Sequence, residues 1–322
     1  MGKIMARIRQ PAQCGGEQMN KAPASYRIHS RQRNESVFQR LTGAFIRAIL
    51  VVLMIATPAL LLPGVSSDAT QIVALIAVFA AVLTFFEYAS TYPGLIEFRD
   101  APPFNRIRYA SLFVTVLLLS VVVLAETRET TLTQFVQVLG GSLARMIDFP
   151  YSPVRLLVLM LPEDSAQAHL DQVRTAAGIA YVVSLVTLGY FVVILRMMGW
   201  PNSDGGFNVW VNLPTFDPTA GGDVVDRLRR DAWVNAGLGV LLPFLIPPAL
   251  KLTSVMFTPV TLSSPQTMIW TVAAWAFLPA ALFMRGIAMN RIAAMIEAKR
   301  LLNTASDAAE YTAPATPRFG RA

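Results

Sequence analysis

Six stretches of the sequence are apolar over about twenty residues, the length that a helix needs to cross the hydrocarbon core of a bilayer. Core helices of soluble proteins are instead apolar along one face only. Because an unpaired backbone amide is costly in lipid, such stretches must be helical. The sequence therefore predicts an all-α, polytopic membrane bundle of six transmembrane helices. The expected spans are residues 44–63, 70–90, 109–125, 176–197, 232–254 and 266–285.

The composition agrees with this class and narrows the chemistry. Hydrophobic residues make up 54% of the chain and charged residues 15%, which is below the quarter that is typical of soluble domains. A single cysteine, Cys14, excludes an internal disulfide and a cysteine-based zinc or iron–sulfur site. His29 and His169 lie outside the apolar stretches, which argues against a haem held within the membrane. The sequence predicts no cofactor and no metal site.

The positive charges predict the orientation of the bundle. If the N-terminus is inside, 20 of the 27 Lys and Arg residues fall in cytoplasmic segments and four fall in outer segments. This asymmetry follows the positive-inside rule and predicts that both termini are cytoplasmic. It also explains the net charge of +7 without nucleic-acid binding. Residues 1–43 and 304–322 are predicted to be disordered cytoplasmic tails of a membrane domain over 44–303, the first tail being basic.

A long outer segment, residues 126–174, separates the third span from the fourth. Between Leu132 and Ile147 its apolar residues recur at i, i+3, i+4 and i+7, opposite Gln134 and Arg145. The stretch is too short to span, so we expect an amphipathic helix in the outer interface. Either this segment only covers the bundle, or it forms a docking surface or a re-entrant lining.

Ionisable residues inside spans are the usual markers of function in membrane proteins. Here they lie about a turn from a span end, at Arg47, Glu87, Lys251 and Arg285. Lys and Arg at such depths can reach the headgroups, and we expect Glu87 to pair with an arginine of the adjoining loop. The middles of the spans carry no charge, which argues against a proton pump or an ion-coupled carrier. A carrier of apolar substrates stays open.

Prolines interrupt the fifth and sixth spans, at Pro243, Pro247, Pro248 and Pro279. Proline removes a backbone hydrogen bond and kinks a helix. Broken helices mark the substrate sites of many transporters, although kinks with a purely structural role are more common.

Two loops on the predicted cytoplasmic side contain prolines, charged residues and local structure signals that a simple connection between two helices does not require. The first, 97–106 (EFRDAPPFNR), is stiffened by two prolines; the second, 202–223, contains a strand-like FNVWVNL and ends at Asp223, a favoured helix N-cap. We expect the loops to pack together with opposite charges paired. The predicted interaction face comprises Glu87, Arg99, Asp100, Asn105, Arg106, Arg108, Asp217, Asp223, Arg227 and Arg230.

This face has two interpretations. The structural one is a network of salt bridges that holds the loops. The functional one is a docking surface for other subunits of a membrane complex, or a site for an anionic lipid headgroup or phosphate at Arg99, Arg106 and Arg108.

The strings EFRDAPPFNR (97–106) and NLPTFDPTAGGD (212–223) resemble those of a group of alphaproteobacterial inner-membrane proteins. The resemblance extends over most of the chain from the first span onward. It implies the bacterial inner membrane as the compartment and implies no activity.

Three functions remain open on the sequence. The uncharged span interiors favour a non-catalytic scaffold, assembly factor or accessory subunit of an inner-membrane complex. The proline-broken spans favour a transporter or channel for a small or lipid-like solute. An interfacial enzyme would have only Glu87, Asp100 and Arg106 as candidates, and the HExxH, GxSxG and Walker motifs are absent, so no catalytic residue is assigned.

Overall fold

The computed structural model describes residues 24–91, 94–99, 103–201, 212–217, 221–256 and 261–312. Within these residues the chain is all-helical and contains no strand. The helices are α1 (Ala24–Leu61), α2 (Ser67–Ala89), α3 (Phe104–Leu124), α4 (Thr131–Ile147), α5 (Pro153–Leu159), α6 (Gln167–Met197), α7 (Val224–Met256) and α8 (Pro265–Thr312).

Six of these helices, α1, α2, α3, α6, α7 and α8, are long and apolar enough to cross a membrane. The prediction of a polytopic helical bundle is therefore confirmed, and the chain is a multi-pass membrane protein. No extra crossing comes from the outer segment, where α4 and α5 are short.

Several helices extend beyond the apolar spans that the sequence predicts. Helix α6 begins at Gln167, before the expected start at 176, and α8 continues through the basic segment to Thr312. Helix α1 begins at Ala24, inside the segment expected to be a disordered tail, whereas residues 1–23 lie outside the described residues. Hydropathy marks only the lipid-facing part of a helix, because polar helix-forming residues continue the same hydrogen-bond ladder into water.

Side-chain caps set several of the helix starts, among them that of α5, where Ser152 accepts the N–H of Arg155 at 3.0 Å. The hydroxyl of Ser66 accepts the N–H of Ala69 at 3.2 Å at the start of α2. Thr130 and Thr133 form a reciprocal capping box on α4. The predicted cap at Asp223 is confirmed, since its carboxylate accepts the N–H of Val225 at 2.9 Å. The strand predicted for FNVWVNL lies almost entirely outside the described residues.

Helix α8 is the centre of the bundle and packs against α7, α6 and α3. Helix α1 packs against α2 and α3, whereas the extensive contact of α2 is with α1 alone. In the most apolar window of α8, 56% of the residues are buried, against 6% in α2. The hairpin of α1 and α2 is therefore a flank attached to a core of four helices.

Helix α4 has the two faces that the sequence predicts and packs on α3 and α6. Its buried face carries small residues, and a Cβ added at Gly178 of α6 would lie 2.5 Å from the Cβ of Ala144. The large residues Phe135 and Met146 are exposed, as a lipid-contacting face requires. This arrangement agrees with a helix that covers the bundle.

The two largest clusters of buried apolar residues show that successive connections lie at alternate ends of the bundle. One cluster unites Leu62, Val154 and Leu262, from the connections after α1, before α6 and before α8. The other unites Phe98 and Trp200, from the connections after α2 and after α6. Six crossings require this alternation.

The prolines of α7 are accommodated by a bond from the neighbouring helix. Pro247 lacks the N–H that would bond to the carbonyl of Pro243, and the indole N–H of Trp275 on α8 donates to that oxygen at 3.1 Å. Both helices remain continuous through their prolines. A satisfied carbonyl of this kind supports the structural interpretation of this proline.

The α7–α8 contact depends on a glycine. A Cβ at Gly239 would lie 2.7 Å from the carbonyl oxygen of Pro279, whereas a Cβ at Gly237 would meet nothing within 4 Å. We expect Gly239→Ala to lower the free energy of unfolding by about 1–3 kcal/mol through overpacking. Gly237→Ala should be neutral or stabilising by up to about 1 kcal/mol, because alanine favours the helix. Thermal unfolding in detergent checks this, and equal shifts for the two variants would contradict the close contact.

The orientation predicted from the charges can be tested at two exposed residues. In a Cys14→Ser background, we expect Tyr151→Cys to react with a membrane-impermeant thiol reagent on intact spheroplasts. Leu95→Cys should react only after permeabilisation, because it lies at the other end of the bundle. Labelling of Leu95→Cys from outside would contradict cytoplasmic termini.

Candidate functional site

The loop after α2 is folded around the carboxylate of Glu87. Its oxygen Oε2 accepts the N–H groups of Gly94, Leu95 and Ile96 at 3.0, 2.9 and 3.1 Å. Successive amides that converge in this way form a nest for one anion. The expected arginine neighbour is present but bonds differently, since Arg99 donates to the backbone carbonyl of Glu87 at 3.1 Å. Glu87 therefore holds the loop in shape.

Phe98 anchors this loop in the protein interior. Its φ of 54° is left-handed, which costs a non-glycine residue about 1–2 kcal/mol. The buried ring offsets this cost by packing 4.3 Å from Phe104 and 6.2 Å from Trp200, measured between ring centroids. Its N–H donates to the carbonyl of Asn212 at 2.7 Å. The first and second loops are therefore in direct contact, as the sequence leads us to expect.

The carboxylate of Glu97 joins both loops to α8. Arg285 donates Nε and Nη2 to it at 2.6 and 2.9 Å, and Thr215 donates its hydroxyl at 2.6 Å. Burial opposes the charged form, but the hydrogen bonds from Arg285 and Thr215 and the charges of Arg285 and Arg108 outweigh it. They hold the pKa of Glu97 below its usual value. Glu97 is thus ionised at neutral pH and accepts three hydrogen bonds, two from Arg285 and one from Thr215.

A cavity of about 970 Å³ opens beside this ion pair, between α1, α2, α3, α7 and α8. Its volume is at the upper end of ordinary ligand pockets. One part of its wall is cationic and contains Arg47, Arg99, Arg106, Arg108 and Arg285. Another part is apolar and contains Leu50, Val51, Leu242, Ile246, Leu278 and Leu282. Among the described lining residues, Glu97 is the single acid that faces these five arginines.

The five arginines differ in how they are held. Arg285 is bound to Glu97, and Arg99 donates to backbone carbonyls. The guanidinium of Arg47 stacks 4.5 Å above the ring of Tyr88. Arg108 lies near two phenylalanine rings, and its buried Nε has no hydrogen-bond acceptor in the part of the chain that the structure describes. The cavity therefore has an excess of positive charge that is fixed in position.

The predicted interaction face is divided in the structure. Arg99, Asn105, Arg106 and Arg108 line the cavity, and Glu87 supports the loop beside it. Asp100 lies outside the described residues.

The rest of the predicted face lies at the start of α7. Asp223 pairs with Arg300 at 2.8 Å, and the hydrogen bonds from the N–H of Val225 and from Arg300 lower its pKa. Arg227 stacks 4.8 Å from Phe216. Asp217 and Arg230 flank this group, at the end of the second loop and on the first turns of α7. The contacts of Asp223 and Arg227 therefore stabilise the start of α7.

Sequence reasoning missed Tyr88 and Glu97 as lining residues of the cavity. Arg47 and Arg285 are charged residues inside predicted spans, and this property marks them as candidates. The sequence favours contact of their side chains with the lipid headgroups, whereas in the structure both line the cavity. In the sequence, Glu97 is the first residue of the 97–106 loop, and nothing local marks it as a member of an ion pair. Its partner Arg285 is 188 residues away along the chain, so no local pattern pairs them.

The ion pair of Glu97 can be tested by substitution. We expect Glu97→Gln to lower the free energy of unfolding by about 2–4 kcal/mol at pH 7, because it leaves Arg285 partly buried without a counter-charge. The folded pKa lies below the unfolded one, so the contribution is complete above the unfolded pKa and disappears as the pH falls through the folded pKa.

The difference between wild type and Glu97→Gln should therefore shrink on acidification below about pH 4.5. Unfolding followed by tryptophan fluorescence in detergent checks this, with the exposed Glu126→Gln as control. A difference that is constant from pH 7 to pH 3 would contradict the assigned ion pair.

Comparison of the chain with protein-family models, curated proteins and solved structures finds no match. The described residues contain no group of three His, Cys, Asp or Glu side chains that could hold a metal ion. The cavity is the most distinctive feature of the described residues, with five arginines beside an apolar wall.

Proposed function

We propose that this protein binds an anionic amphiphile of the membrane in the arginine-lined cavity, as a lipid carrier or transporter does. The observation that carries the proposal is the two-part wall, in which fixed guanidinium groups and aliphatic side chains line one continuous space. A small hydrophilic anion would leave the aliphatic wall unused. A neutral lipid would give no counter-charge to Arg47, Arg106 and Arg108.

The order of lining residues along the helices supports an amphiphile. On α8 the wall runs from Arg285 through Leu282 to Leu278, which is about 10 Å along the helix axis. On α1 it runs from Arg47 to Val51 in the same sense, from the cationic end to the apolar end. Polarity in the cavity therefore changes along the helices as it changes across one leaflet of a bilayer. A molecule with a charged head and a hydrocarbon tail matches both parts.

We further propose that the cationic end faces the cytoplasm and that the bilayer is the bacterial inner membrane. The excess of Lys and Arg in the segments at this end supports the orientation. The similarity of residues 97–106 and 212–223 to alphaproteobacterial inner-membrane proteins supports the compartment. Anionic lipids of a cytoplasmic leaflet attract basic segments of this kind.

A role as scaffold or accessory subunit is the second proposal. Its support is helix α2, whose residues Leu75, Phe79 and Phe86 are exposed and whose extensive contact is with α1 alone. Such a face suits a partner helix as well as lipid. The enzyme hypothesis has less support, because the carboxylate of Glu87 is occupied by holding its loop.

Lipid retention tests the main proposal. We expect the full chain, purified in mild detergent from bacterial membranes, to carry bound anionic lipid that native mass spectrometry detects. In the Arg47→Gln/Arg108→Gln double variant, retention should fall about tenfold or more, since two charge-assisted contacts are lost. The control Arg145→Gln changes an exposed arginine at the other end of the bundle and should retain lipid as the wild type does. Equal lipid content in all three proteins would refute the proposal.

A further inference from the structure

Three arginines of the cavity have no carboxylate partner among the residues that the structure describes. They are Arg47 on α1 and Arg106 and Arg108 on α3. The acid of the wall, Glu97, is already bound by Arg285 and Thr215. The positive charge available to a ligand therefore comes from three guanidinium groups and not from one.

Arg108 is the most strongly positioned of the three. Its guanidinium carbon lies 5.3 Å from the ring centroid of Phe104 and 5.9 Å from that of Phe277, so two aromatic faces fix its plane. Its Nε–H is buried and has no hydrogen-bond acceptor among the described residues. Arg108 also lines the cavity, so its positive charge lies at the cavity wall. The Arg108 guanidinium is thus arranged for an anion before the anion binds.

The number of free charges discriminates between lipid headgroups. A phosphodiester carries one negative charge, whereas a phosphate monoester carries about 1.5–2 at pH 7 and has three terminal oxygens. Guanidinium groups bind such oxygens in a planar, two-pronged geometry. Three arginines that line one cavity therefore favour the monoester, which has the larger charge and one more terminal oxygen than the phosphodiester.

The apolar wall determines what is attached to the headgroup. Leu50 and Val51 of α1 and Leu242 and Ile246 of α7 line the same cavity, and no extensive packing joins these two helices in the described part of the chain. The hydroxyl of Tyr109 on α3 donates to the carbonyl of Leu50 at 2.8 Å and ties α1 to the core at this level. The gap between α1 and α7 accommodates an acyl chain alongside the aliphatic residues.

On the basis of the proposed function, we infer that the ligand is a lipid phosphate monoester, with its phosphate at Arg47, Arg106 and Arg108 and its acyl chain between α1 and α7. Phosphodiester lipids with the same chains bind the same cavity more weakly. Soluble phosphate monoesters share the headgroup chemistry but lack the tail, so they bind more weakly as well.

The test compares ligands that differ in one feature each. Wild-type full chain in nonionic detergent is titrated with dioleoyl phosphatidic acid, dioleoyl phosphatidylglycerol and glycerol 3-phosphate, and binding is followed by native mass spectrometry. We expect phosphatidic acid to bind about tenfold more tightly than phosphatidylglycerol, the difference made by one additional charge-assisted contact. Glycerol 3-phosphate should fail to displace phosphatidic acid at equal concentration.

Variants link the preference to the named residues. Arg106→Gln and Arg108→Gln should each reduce the ratio of phosphatidic acid to phosphatidylglycerol affinity severalfold, and Arg145→Gln should leave the ratio unchanged. Arg106 is exposed, so its variant carries the test if Arg108→Gln does not fold.

The outcomes separate the two proposals. Equal, arginine-dependent binding of both lipids would overturn the monoester inference and leave the proposed function standing. Displacement by glycerol 3-phosphate at equal concentration would overturn the lipid part of the inference. Arginine-independent binding of every probe would remove the inference and the proposed function together.

Discussion

The ion pair between Glu97 and Arg285 is the interaction on which the candidate site depends. It is formed between a loop and the central helix α8, and Thr215 brings a second loop to the same carboxylate. An isolated carboxylate at this depth would be costly, and an isolated Arg285 would add a further uncompensated charge to the cavity. By binding each other, these two residues hold the loops against the bundle. Arg47, Arg106 and Arg108 then have no carboxylate partner among the described residues.

The bundle around the site obeys the constraints of a lipid solvent. Backbone groups must be satisfied within the protein, and the indole of Trp275 donates to a carbonyl that Pro247 leaves without its helical donor. Small residues at Gly239 and Gly178 allow neighbouring helices to approach closely. Close contacts of this kind join α7 to α8 and α6 to α4. The α1–α2 hairpin is attached less tightly, and the cavity lies where this hairpin meets the core.

Much of the architecture follows from the sequence because the bilayer imposes a simple requirement. Apolar stretches of the right length predict six spans, and the structure has six helices that meet the criterion. Hydropathy does not predict where helices end, so α6 and α8 extend past their expected limits. The amphipathic period of residues 132–147 predicts α4. Which face of α4 is buried depends on the close fit of Ala144 against Gly178 of α6, and the sequence pattern of one helix does not contain this information.

The candidate site was predicted in part. An anion site at Arg99, Arg106 and Arg108 is one of the two interpretations that the sequence allows, and all three residues line the cavity. Arg47, Tyr88 and Arg285 join them only through tertiary packing of α1, α2 and α8. The apolar part of the wall cannot be predicted from the sequence, because its aliphatic residues do not differ in type from the lipid-facing residues of a span.

The central claim is that the cavity between α1, α7 and the arginines of α3 holds a lipid. A density map of the full chain in a nanodisc made of bacterial lipids tests it directly. If a lipid occupies the cavity, elongated density should follow Leu50, Ile246 and Leu278, with a compact head within hydrogen-bonding distance of Arg108. A map in which α1 closes onto α7 and side chains fill this space would contradict it.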